Sequence, residues 1–126
     1  MNESHLSVLK LRDLLLVTVP AEADDTTVSA LQQKVLEAME RHEPKAVVMD
    51  ISLVETLDSF FARTISETAQ MINIMGSRAI IAGMQPAVAV AATEIGLKLG
   101  SIEASLNVDR ALDLAEKPRR GHTSHE

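Results

Sequence analysis

Asp58 and Ser59, followed by the only two aromatic side chains in the chain, Phe60 and Phe61, stand in the run LDSFFART over residues 57–64. An acid beside a serine hydroxyl admits three kinds of chemistry: nucleophilic hydrolysis, acceptance of a phosphoryl group, or capping of a helix. Hydrolysis needs a base within hydrogen-bond reach and an oxyanion hole. The available imidazoles are His5, His42, His122 and His125, and no G-x-S-x-G elbow surrounds Ser59. No catalytic residue is therefore expected. His122 and His125 sit near the C-terminus without the further acidic or sulfur ligands that a metal site requires. Gly76, Gly83, Gly96 and Gly100 never compose a G-x-G-x-x-G or a P-loop, so the sequence shows no nucleotide site and calls for no cofactor.

A second acid, Asp50, ends the apolar run VVMDIS and looks like the phospho-acceptor aspartate of a two-component receiver, with Asp24 and Asp25 as its metal-binding acids. The spacing breaks that resemblance. Receivers carry the acidic pair at the end of the first strand, whereas Asp24 and Asp25 open a helical pattern, and the lysine expected at the end of the last strand is missing from the position that Glu103 and Ser105 flank. A receiver-like domain remains a distant alternative, with Asp50 read instead as a strand-end residue that caps a neighbouring loop.

The elements that would position Ser59 follow from length and pattern. At 126 residues the chain suits one domain. Residues 1–115 are expected to form it, with 116–126 as a disordered C-terminal tail. The absence of cysteine excludes disulfides and thiolate metal sites. The N-terminus, MNESHLSVLKLRD, has no basic segment leading into an apolar core, and no apolar run approaches the ~20 residues of a spanning helix. A cytoplasmic protein with no membrane contact is expected. A net charge of −6 argues against nucleic acid, which is bound through clustered Lys and Arg. An aromatic content of 2% removes the platforms on which bases stack.

Residues 6–19 read as a strand hairpin turning at Arg12 and Asp13. Val28, Leu31, Val35 and Met39 then recur at helical spacing behind the capping acids Asp24 and Asp25, and Pro44 ends that helix. KAVVMDIS over 45–52 is the short β-branched run of a strand covered on both faces, and SRAIIAG over 77–83 is another. Between them a helix is expected from about Asp58 to Met75, closed by Gly76. Pro86 opens a third helix through PAVAVAATEIGLKL, followed by a strand around Ile102 to Leu106 and a helix from about Asn107 to Ala115. Such alternation predicts an α/β fold: a mixed β-sheet with an initial hairpin, right-handed β-α crossovers and helices packed on the sheet.

At about 100° per residue, Phe61, Ile65, Ala69, Ile72 and Met75 share one arc of the second helix, which is expected to face the core. Phe60, Met71 and Ile74 make an adjoining apolar arc, read either as a deeply seated helix or as a surface offered to a partner. Ser59 falls on the polar sector with Arg63, Ser66, Gln70 and Asn73, so its hydroxyl is expected to face solvent in the first turn. Spacing alone leaves open whether Ser59 or Asp58 merely caps the helix or Ser59 is presented to a modifying enzyme.

In order along the chain, LKLRDLLLVTVP, VVMDISLVETLDSFFAR and INIMGSRAIIAGMQPAVAVAATEIGL resemble the STAS-domain family, and the Q-P-A-V-A-V run points to its stressosome branch. The match covers roughly residues 6–115. What the resemblance implies is a non-enzymatic phosphoprotein of a stress-response pathway. It would co-assemble with RsbR-type STAS scaffold paralogues in a large hetero-oligomer and hold an RsbT-type serine kinase. Phosphorylation of Ser59 would release that kinase, and an RsbX-type phosphatase would reverse the step. Asp58, Phe60, Arg63, Glu67, Met71 and Ile74 are the partner-contact candidates. A stand-alone anti-sigma-factor antagonist regulated at the same serine is the alternative.

Overall fold

The computed structural model describes residues 7–96 and 102–118. Strands β1 (Ser7–Leu11) and β2 (Leu14–Thr18) form the expected hairpin, with Arg12 at φ 57° in its turn. Helix α1 (Asp25–His42), β3 (Ala46–Asp50), α2 (Ser59–Ile74), β4 (Arg78–Ala82), α3 (Pro86–Ile95), β5 (Glu103–Ser105) and α4 (Val108–Ala115) follow. The strands lie in the order β1-β2-β3-β4-β5, antiparallel in the first pair and parallel in the rest. An antiparallel start before parallel strands makes the sheet mixed, as the alternation of periods predicts.

The two-residue side-chain period of the strands divides the core between the two faces of the sheet. Leu15, Val17, Val47, Met49, Ala79 and Ile81 point to one face, where α1, α2 and α3 cover them. Leu14, Ala46, Val48, Ile80 and Ala82 point to the other, where α4 packs with Ala111 and Ala115. The central strand β3 is buried on both faces, which is why its sequence shows no polar alternation.

Local chemistry sets the helix boundaries. Asp24 caps α1 by accepting the Thr27 N–H at 2.8 Å, and that bond holds its carboxyl below its ordinary value. Asn107 caps α4 in the same way through Arg110 N–H. Helix α3 is shorter than its apolar pattern suggests: it stops at Ile95, where Gly96 at φ 84° donates its N–H to Ala92 and Thr93 carbonyls. The expected continuation over 97–99 lies outside the described residues, as do His5, His122, His125 and the tail from 119 onward.

Arg78 closes the far end of the molecule. Its guanidinium meets Glu103 in two bonds, Nε at 2.9 Å and Nη2 at 2.8 Å, in a pair whose side chains are each only 15% exposed. It also donates to the carbonyls of Leu114 at 3.2 Å and Lys117 at 2.6 Å, satisfying acceptors at the C-terminal end of α4. The hydrogen bond with Glu103 raises the Arg78 pKa above its ordinary value.

Candidate phosphorylation site and interaction surface

The site is built where β3 hands over to α2. Asp50 ends β3, and its Oδ1 accepts the Ser52 N–H at 3.0 Å, the loop-capping role its position suggests. The Val54 N–H bonds the Ile51 carbonyl at 3.0 Å, closing a turn that seats both of these side chains, 2% exposed each, in the core. Asp58 then takes an extended conformation as the N-cap of α2, and its Oδ1 accepts the Phe61 N–H at 2.8 Å. Phe61 packs into the core beneath that turn.

This arrangement decides which of the two residues caps the helix. The cap is Asp58. Ser59, the first residue of α2, is exposed, and its hydroxyl makes no hydrogen bond among the described residues. It stands at a helix end whose free N–H groups and dipole favour negative charge.

Ser59 opens onto a groove of about 550 Å³ that runs along α2 past Arg63, Glu67 and Gln70 and is walled at its other side by Ile95, the last residue of α3, and its cap Gly96. Arg63 follows Ser59 by one helical turn, is exposed, and makes no ion pair or hydrogen bond among the described residues. The polar sector expected from the wheel is only partly polar surface: Ser66 is 5% exposed, at the groove's floor. Asn73 is half-buried, and its Oδ1 accepts the Ala79 N–H at the start of β4.

The apolar arcs also need correction. Phe61, Ile65, Ala69 and Ile72 are buried as expected, but Met75 is 50% exposed, because α2 ends at Ile74 and the chain turns away through Gly76. Phe60 is half-buried against the core cluster. It does not form one patch with Ile74, which lies 14 residues on, roughly 21 Å along the helix axis. The exposed apolar surface of α2 is instead Met71, Ile74 and Met75 at its C-terminal end, with Ile74 84% exposed. The partner-contact candidates therefore separate: Arg63 and Glu67 in the groove, Asp58 and Phe60 at the helix start, Met71 and Ile74 at the far end.

Sequence reasoning did not find the contribution of the β4–α3 connection. Gln85 donates its side-chain Nε2–H to the Ser52 carbonyl at 2.7 Å, and Gly83 at φ 80° lies directly against Ser52. The signal was present in the G-M-Q-P run, since Pro86 at the first helical position makes Gln85 the N-cap, a place where Gln is a poor capping residue. No helix among the described residues is long and apolar enough to cross a membrane. No group of three or more metal-binding side chains occurs among them either.

The family model described as STAS domain matches residues 5–111. A solved structure of RsbS from Moorella thermoacetica, in a serine-to-glutamate variant, superposes with a TM-score of 0.80 at 30% identity, covering 88% of this chain and 94% of that one. A chain from the structure of the stressosome, described as a signal integration and transduction hub, superposes at 0.75 with 29% identity, covering 87% of this chain and 96% of that one. Among curated proteins, the RsbT co-antagonist protein RsbRB of Bacillus subtilis is 22% identical over 98 residues, and its counterpart RsbRA is 20% identical over 92. Those matches cover 78% and 73% of this chain but only 35% and 34% of the relatives, so the chain spans about a third of their length. With five strands in a mixed sheet, four helices among the described residues and a family match over most of its length, this chain belongs to the STAS domain family.

Proposed function

We propose that this chain is a non-enzymatic, phosphorylation-switched STAS protein of a stressosome. In this reading it co-assembles with RsbR-type paralogues and holds an RsbT-type serine kinase until Ser59 is phosphorylated, and an RsbX-type phosphatase resets it in the cytoplasm. The observation that carries the reading is the separation of Asp58 from Ser59: the acid already caps α2, and the serine is exposed with a hydroxyl that makes no hydrogen bond among the described residues. The similarity to RsbS and to a stressosome chain supports the class of assembly.

Phosphorylation adds about −1.5 to −2 charges. At the first turn of α2 the macrodipole favours that charge by about 0.3–1 kcal/mol, so the fold tolerates it. The cost falls on a docked partner, through bulk and through repulsion from a surface that already carries Asp58 and Glu55. A loss of about 1.4 kcal/mol is tenfold in affinity, enough to release a kinase held near its dissociation constant. Incubation of the full chain with an RsbT-type kinase and ATP, followed by mass-spectrometric mapping, is expected to place phosphate on Ser59. Phosphate elsewhere, with Ser59 unmodified, would refute the assignment.

A further inference from the structure

We propose that Gln85 is the positioning residue for Ser59, acting across the sheet end from the β4–α3 connection. The inference rests on the reading of Ser59 as the modified group, and it concerns what holds that serine in place.

Gln85 occupies the N-cap of α3 yet makes no capping bond with its side chain. Ser, Thr, Asp or Asn would serve a free-standing helix start better. Its amide instead reaches back 33 residues in sequence to the carbonyl of Ser52 at 2.7 Å. Ser52 is held from its other side as well, since its N–H donates to Asp50 Oδ1 at 3.0 Å. The loop leading to Ser59 is therefore gripped at both polar groups of one peptide residue, once from its own strand and once from the next connection.

Gly83 makes that grip possible. A Cβ on Gly83 would stand 2.8 Å from Ser52 Cβ and 3.3 Å from Asp50 Oδ1, so the β4–α3 connection approaches the loop as closely as only glycine permits. The Gly83 N–H is itself anchored to the Ser105 carbonyl at 3.0 Å, and the Ile51 N–H to the Ala82 carbonyl at 2.9 Å, which fixes the connection to the sheet. Helix α3 adds little hold of its own, burying only Val88 and Ala92 among its described residues. The grip at Ser52 overlaps the Ile51–Val54 turn, in the same connection that ends at the Asp58 cap before Ser59.

The test compares the full chain with Gln85→Glu, which keeps the shape but replaces the donor by an acceptor, and with Gln85→Lys, which keeps a donor of similar reach. Amide hydrogen exchange is expected to quicken about fivefold in Gln85→Glu at Ser52, Val54 and Phe61, the fold-change for loss of one ordinary hydrogen bond. Val35 in α1 should remain unchanged, and Gln85→Lys should stay within twofold of the parent throughout. With an RsbT-type kinase and ATP, Gln85→Glu is expected to lower kcat/KM for Ser59 about fivefold, chiefly through KM. Unchanged exchange at Ser52 or Phe61, a Gln85→Lys variant as loose as Gln85→Glu, or unaltered kcat/KM despite a loosened loop would each overturn the positioning role. A parent chain left unphosphorylated at Ser59 would refute the proposed function alone, while the Phe61 amide would still decide whether Gln85 holds the turn.

Discussion

A serine next to an acid at a helix start invites confusion between two roles, and the side-chain bonds separate them. Asp58 accepts the Phe61 N–H, while the Ser59 hydroxyl bonds nothing among the described residues. Charge at position 59 should thus alter docking more than folding. Ser59→Asp is expected to weaken retention of an RsbT-type kinase about tenfold in a pull-down, with Ser59→Ala retaining it. Equal retention by the two variants would exclude a charge mechanism. Ser59 was legible as a candidate because Asp-Ser precedes an apolar run at helical spacing; its separation from capping was not, because either residue has the chemistry to cap. Gln85 was only half legible for a different reason: the G-M-Q-P run marks it as a poor cap, but its partner Ser52 is 33 residues away and is bound through a backbone carbonyl, which no side-chain pattern names.

At the scale of elements, periodicity served well wherever burial is one-sided or complete. Helix α1 shows Val28, Leu31, Val35 and Met39 buried on one stripe, and β3 is buried through its first four residues. It misled at the end of α2, where a wheel extrapolates past the point at which the chain leaves the helix and Met75 is exposed, and the apolar run from Pro86 outlasts α3, which ends at Ile95. It also placed Ser66 on the outer sector, where the structure leaves it only 5% exposed. The two connections at the ends of α2 and β4 should differ in their tolerance of a side chain. Gly83→Ala meets Ser52 as well as an unfavourable φ of 80°, whereas Gly76→Ala at φ 101° has nothing within 4 Å. Thermal or denaturant unfolding is expected to show a loss of about 1 kcal/mol for Gly76→Ala, and of about 2–3 kcal/mol for Gly83→Ala.

For the whole molecule, the net charge of −6 argues against a phosphate-binding surface, and no helix among the described residues is long and apolar enough to cross a membrane, but composition held no information about assembly. Mixing the chain with an RsbR-type paralogue is expected to give a very large particle on size exclusion, while a stand-alone antagonist would elute as a monomer or dimer under the same conditions. Integrity of the single unit depends on Arg78, which joins β4, β5 and the end of α4. Arg78→Met is expected to lower unfolding stability by about 2–4 kcal/mol, because it leaves Glu103, 15% exposed, without its guanidinium. That same residue has a mechanical meaning. Its bond to the Lys117 carbonyl spans 39 residues of chain, so a tether attached beyond Lys117 delivers its pull to β4 inside the sheet as well as to the last helix. Force entering at the C-terminal end would be shared with the strand that leads directly to Gly83 and Gln85.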